Sequence, residues 1–168
     1  MSKRIALLRG INVGGTGKLP MADLRALMAD LGATNIETYI QSGNVVFEGS
    51  LNADELSEAI ETRFGFAPRV LILEGDAFAK IVNGWPLETG EPKEMHIFFC
   101  SEQPNVDPQT LIDHTNDVEQ FQIGDRAVYL FSPGGLSQSK LADKLERRLG
   151  IPATARNWNT LQKLLSML

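Results

Sequence analysis

The sequence of 168 residues is poor in the residues that build metal centres and disulfide scaffolds. It holds one cysteine, Cys100, and two histidines, His96 and His114. A lone thiol makes no internal disulfide, so the fold must rest on an apolar core, and a reducing, cytoplasmic setting is expected. Cys100 closes the apolar run Ile97-Phe98-Phe99-Cys100 with no positive charge evident beside it. Packing rather than catalysis is its expected role. Neither histidine has metal-ligand spacing to a cysteine or to the other, so no metal is expected, and no cofactor is either. Long apolar runs are missing as well. Only Ile5–Leu8 are apolar between Arg4 and Arg9, too few for a signal peptide, and nothing approaches the roughly 20 residues of a membrane span. No aromatic RNP-type motif is present, which leaves RNA binding a minor branch. Charge of one sign is not in large excess. The net −5 disfavours non-specific attachment to nucleic acid.

What is there suits a globular domain or two small ones. Hydrophobic residues make up 43%, and a chain of this mass buries roughly 69% of its unfolded surface without staples. Ile5-Ala6-Leu7-Leu8 reads as a strand covered on both faces. It runs into the glycine-rich segment Gly10–Lys18. Pro20 then opens a helix carrying Leu24, Leu27, Met28 and Leu31, with Gly32 as its stop. Ile36, Thr38 and Ile40 alternate with polar residues, and Ser42-Gly43-Asn44 turns the chain into Val45-Val46-Phe47. Asn52 with Glu55 resembles a capping box before a helix with Leu56, Ile60 and Phe64 on one face. Val70–Leu73 follows as a strand. The order β-α-β-β-α-β is that of the ferredoxin-like split unit.

The second half opens with a short helix capped by Asp76. A strand follows at Met95–Cys100 and a short helix from Pro108. Two strands then flank a Gly124-Asp125 turn. Ser137 or Ser139 caps a helix bearing Leu141, Leu145 and Leu149, ended by Gly150. A last helix carrying Trp158, Leu161, Leu165 and Leu168 stands where a final strand would be. The expected class is α+β, with two ferredoxin-like subdomains over residues 1–75 and 76–168, the second ending in an extra C-terminal helix. One larger mixed sheet is the alternative. The halves share element order and no residue-level similarity.

Three stretches carry a family resemblance: Leu7–Gly15 (LLRGINVGG), Tyr39–Phe47 (YIQSGNVVF) and Ala153–Thr160 (ATARNWNT). In these motifs, and over the whole chain, the sequence resembles the bacterial proteins catalogued as domain of unknown function 1697. The resemblance implies two ferredoxin-like α/β subdomains. It implies no activity and no catalytic residues.

The glycine-rich segment is the first candidate site. A strand-to-helix turn rich in glycine lets backbone N–H groups converge on an anion. Arg9, Gly10, Asn12, Gly14, Gly15 and Lys18 are the expected ligand contacts. A nucleotide-hydrolysing P-loop does not fit, since Asn12 and Leu19 stand where glycine and a hydroxyl are needed. The plain alternative is that the glycines only permit positive φ. Arg156 and Asn157 form the second candidate, at the start of the last helix, where Asn157 or Asn159 equally serves as a cap. Gln41–Asn44 reads first as turn chemistry. It is expected at the opposite end of a ferredoxin-like unit from the loop after the first strand, which would keep the two motifs apart.

Charge is unevenly spread. Residues 1–20 hold four basic residues and no acid, residues 126–168 hold seven basic and two acidic, and the stretch between carries a net −14. If the fold joins the basic ends, they make an anion patch on an acidic molecule. The expected function is a binding module for a phosphate-bearing small molecule or a nucleic-acid segment at the glycine-rich loop. An enzyme acting on an anionic metabolite, and a structural protein or homodimer, are the alternatives.

Overall fold

The structure is a computed structural model and describes residues 2–168. It is a mixed α+β chain with two four-stranded antiparallel sheets, each with helices, and a C-terminal helix. Contacts divide it into two units, one running up to Ala79 and including Lys163–Leu168, the other Lys80–Gln162.

The first unit runs β1 (Lys3–Arg9), α1 (Met21–Asp30), β2 (Thr34–Tyr39), β3 (Asn44–Glu48), α2 (Ala53–Phe64) and β4 (Arg69–Glu74). Its sheet order is β2-β3-β1-β4. The central strand is the continuous apolar run, and Ile5, Ala6, Leu7 and Leu8 are fully buried. Alternation sends Ala6 and Leu8, with Val45, Phe47, Val70 and Ile72 of the neighbouring strands, to one face. Leu24, Leu27 and Met28 of α1 and Leu56 and Ile60 of α2 complete that core. Each such side chain contributes about 1.5–3 kcal/mol by leaving water. The capping box of α2 is present: Glu55 N–H donates to Asn52 Oδ1 at 2.9 Å and Asn52 N–H to Glu55 Oε2 at 3.1 Å. Gly65 ends the helix in the left-handed region (φ +84°). The chain's last residues return to this unit, where Lys3 Nζ donates to Met167 O at 2.7 Å.

α3 (Gly75–Asn83) leads from the first unit into the second. The second then runs β5 (Met95–Cys100), α4 (Pro108–Ile112), β6 (Gln120–Gly124), β7 (Ala127–Phe131), α5 (Ala142–Leu149), β8 (Ala153–Asn157) and α6 (Trp158–Met167), with sheet order β6-β7-β5-β8. Here the structure corrects the expectation that a helix replaces the last strand. Ala153–Asn157 is a strand, paired antiparallel to β5 from Cys100↔Ala153 to His96↔Asn157. Its alanines and arginine favour helix locally, but the open edge of β5 offers a full ladder of hydrogen bonds, and pairing prevails. The β6–β7 turn also falls one residue later than expected. Gly124 pairs with Ala127, and Asp125-Arg126 make the turn with Arg126 at φ +54°. Leu141 occupies the N-cap position of α5, and Ser139, just before it, accepts the Ala142 N–H on its Oγ at 3.0 Å.

A second correction concerns direction. β3 runs antiparallel to β1, and β2 antiparallel to β3, so the β2–β3 hairpin turns at the end where β1 finishes. The register Leu7↔Asn44 and the bond from Leu8 N–H to Gly43 O at 2.9 Å place the two motifs side by side. The opposite-end expectation assigned the hairpin the wrong direction.

Candidate functional site

The glycine-rich segment folds into a miniature hairpin. Asn12 N–H donates to Gly17 O at 2.8 Å, Val13 and Thr16 exchange bonds at 3.3 and 3.0 Å, and Gly14 (φ +57°) and Gly15 (φ +79°) form its exposed tip. Two consecutive positive φ values are what a two-residue type I′ turn requires, which explains the paired glycines. Gly17 is required for space as well, because a Cβ there would collide with Gly10 O and press on Phe66. The N–H groups of Asn12, Val13 and Thr16 are therefore engaged within the hairpin.

Asn12 holds this hairpin to its surroundings. Its Nδ2 donates to Leu19 O and to Gln41 O, each at 2.8 Å, while Oδ1 accepts from Leu19 N–H at 2.8 Å. One side chain thus joins the start of α1, the glycine-rich hairpin and the β2–β3 turn. On that turn Asn44 is buried and donates to Tyr39 O and Ser42 Oγ, each at 3.1 Å. Gly43 (φ +94°) lies so close to β1 that an added Cβ would sit 2.7 Å from Leu8 Cβ. Ile40 takes φ +51°, a conformation uncommon for a β-branched residue.

The loop between α2 and β4 reaches the same end. Gly17 packs against Phe66, and Ser57 Oγ donates to Pro68 O at 2.7 Å. The first residue of β4, Arg69, pairs directly with Arg9, the last of β1. Cross-strand partners share a face, here the one opposite the α1–α2 core. Like charges directly opposed destabilise a sheet. Burial, and then the charge of Arg69, lower the Arg9 pKa from its ordinary value. The two arginines, with Gly10, Phe66, Ala67 and Pro68, line a shallow cleft of about 350 Å³. Lys18 is exposed in the same loop. Residues 9–20, 38–47 and 62–73 contain no carboxylate. Of the sequence candidates, Arg9 and Gly10 line the cleft, Asn12 clamps the loop, Gly14 and Gly15 form the hairpin tip, and Lys18 adds charge. Sequence reasoning missed Arg69. Its only signal was a cation immediately before the expected strand Val70–Leu73.

Arg156 and Asn157 belong to the second unit. Arg156 pairs with Ile97 in β8, its Nη1 donates to Ala155 O at 2.9 Å, and burial brings its pKa down to about 10. Asn157 Oδ1 accepts the Thr160 N–H at 3.0 Å, so Asn157 caps α6. Trp158 packs edge-on against Trp85, with ring centroids 5.5 Å apart. Opposite Asn157 stands His96, buried, with Nδ1 unpartnered and its pKa lowered to about 4 by burial. Cys100 is buried too, and burial raises its thiol to about 11. Among the described residues no group of three His, Cys, Asp or Glu is placed to hold a metal, and no helix is long and apolar enough to cross a membrane.

A family model described as a protein of unknown function (DUF1697) matches residues 1–129. No curated protein matches the sequence. Among solved structures, the chain is similar to the conserved bacterial protein SP0830 from Streptococcus pneumoniae, at 26% identity and a TM-score of 0.73, over 99% of this chain and 98% of that one.

Proposed function

The chain belongs to the DUF1697 family of proteins of unknown function, and from that premise we propose that it is a binding module for an anionic, phosphate-bearing ligand. The observation that carries this reading is the Arg9↔Arg69 pair at the end of the first sheet. Two guanidiniums stand opposite one another at a shallow cleft and repel each other. They offer an oxyanion two forked donors at once, and the repulsion they impose is relieved when a negative group sits between them. The same reading makes each unit ferredoxin-like, in line with its β-α-β-β-α-β order and its sheet order, and gives the protein a cytoplasmic setting suited to the free thiol of Cys100.

The test is thermal denaturation with inorganic phosphate, pyrophosphate and phosphate monoesters, on the parent chain and on Arg9→Glu/Arg69→Glu. A ligand at a hundred times its Kd adds about 2.7 kcal/mol, which at this length raises Tm by about 5–10 °C. The double variant should lose that rise. The single variant Arg69→Ala should bind more weakly. Equal stabilisation of parent and double variant would overturn the reading, as would no rise with any of these ligands.

A further inference from the structure

The second unit holds a cavity of about 560 Å³ between the end of α4 and the start of α5, within the size range of small-molecule sites. Asp113 and His114 line it from the α4 side, and Ser137, Lys140, Asp143 and Lys144 from the α5 side. Ser139 also faces it and is held by a buried carboxylate. Glu119 accepts from Ser139 Oγ–H at 2.5 Å, from Asn116 N–H at 2.8 Å and from Leu141 N–H at 3.3 Å. Asn116 Nδ2 donates to Gln138 O at 3.3 Å. These bonds tie the segment after α4 to the segment before α5, so the cavity wall is fixed by the protein itself.

Cations gather on this cavity from one flank of α5. Leu141 already has helical backbone angles (φ −72°, ψ −40°). Lys140, Lys144, Arg147 and Arg148 therefore follow at i, i+4, i+7 and i+8, beside the buried stripe Leu141, Leu145 and Leu149. His114 senses their field. Its pKa is lowered from its ordinary value, first by partial burial and then by Arg148 and Lys144, with Arg147 adding to them and Asp113 opposing. Around the cavity these four cations outnumber the carboxylates of Asp113 and Asp143. Among the described residues no ion pair engages Lys140 or Lys144. A solvated helix face accounts for scattered cations. It does not account for cations collected beside a walled cavity, where their field is focused on whatever enters.

We propose that this cavity binds a sugar phosphate, with the phosphate on Lys140, Lys144 and His114 and the sugar hydroxyls donating to Asp113 and Asp143. The two carboxylates decide the second half of the ligand, because they repel a bare polyphosphate and accept hydroxyl protons. Asp113 Oδ1 accepts Gln109 Nε2–H at 2.9 Å, which orients the carboxylate and leaves it further acceptor capacity. Among the described residues no aromatic ring lines the cavity to stack a base, which separates this ligand from a nucleotide. The site belongs to the second unit, and its argument does not draw on the Arg9–Arg69 cleft of the first.

The test is proton NMR of the full chain titrated with ribose 5-phosphate, inorganic phosphate and ribose. It reads the His114 imidazole, which His114→Gln identifies. A phosphate brought beside the ring should raise the His114 pKa by about one unit. Ribose 5-phosphate should do so at a concentration at least tenfold below that of inorganic phosphate, and ribose should leave the pKa where it is. Lys140→Ser/Lys144→Ser alters two exposed side chains and should lose the response. Asp113→Ala/Asp143→Ala should keep the response to inorganic phosphate and lose the tenfold margin. Arg9→Glu/Arg69→Glu should respond as the parent does, so this site and the cleft of the first unit stand or fall separately. An unmoved His114, a response that survives the lysine exchange, or equal concentrations for the two phosphates would overturn the proposal. A response to a short oligouridylate without one to ribose 5-phosphate would overturn it in favour of a nucleic-acid partner.

Discussion

Asn12 offers the sharpest test of how this end of the molecule is held. Replacing it by alanine removes three hydrogen bonds, two to the Leu19 backbone and one to Gln41 O. At about 0.5–1 kcal/mol each for a partly exposed group, these amount to about 2 kcal/mol. Alanine must also adopt the φ of +53° found at Asn12, which asparagine tolerates and alanine resists by about 1 kcal/mol. Asn12→Ala should therefore cost about 3 kcal/mol, or about 6–12 °C in Tm. Asn12→Gly loses the same bonds without the strain and should cost about 2 kcal/mol. Asn12→Asp keeps the acceptor for the Leu19 N–H but turns a carboxylate toward two carbonyl oxygens, so it should be no better than alanine. Urea denaturation followed by far-UV circular dichroism is the assay, because both tryptophans, Trp85 and Trp158, lie in the second unit. If glycine proves as damaging as alanine, the strain argument fails. If both variants stay within about 0.5 kcal/mol of the parent, the clamp itself is refuted.

Two further perturbations probe the two units, one in each. His96 is held neutral with a pKa near 4, whereas the unfolded chain takes up that proton near 6.5. The unfolded state thus binds more protons between these values, and stability should fall by about 3 kcal/mol as pH drops from about 6.5 to 4. Urea midpoints at pH 7 and 4.5 should show a smaller loss in His96→Leu, and an identical pH dependence would refute the assignment. Gly43→Ala places a Cβ against Leu8 at a φ of +94°, and should cost about 3 kcal/mol in calorimetry. A loss under about 1 kcal/mol would show that β1 yields more readily than its burial implies.

The sequence spelled out what depends on neighbours along the chain. The run Ile5–Leu8, the spacing of Leu24, Leu27 and Met28, and the Asn52–Glu55 box each appear in the structure where their pattern placed them. β8 was hidden because Ala153-Thr154-Ala155-Arg156-Asn157 has neither the period nor the bulk of a strand, and only the edge of β5 makes it one. The convergence of the glycine hairpin with Gln41 follows from antiparallel pairing on either side of β3, which a correct tracing of strand directions would have found. Arg69 is a different matter. Nothing local distinguishes it from other surface cations, and its opposition to Arg9 is a property of the β1–β4 register. Arg9, Gly10 and Asn12 stood out because glycine density is visible along the chain, whereas cross-strand charge is not.

The return of Lys163–Leu168 to the first unit has a consequence for biosynthesis. The 83 residues of Lys80–Gln162 intervene before that unit receives its last segment. A nascent chain emerging at about 5–20 residues per second would hold an incomplete first unit for several seconds, with Lys3 waiting for Met167 O. Closure over so long a sequence separation is a late, non-local step. During translation every residue of the second unit is made before the last segment of the first, so the unit begun first is finished last.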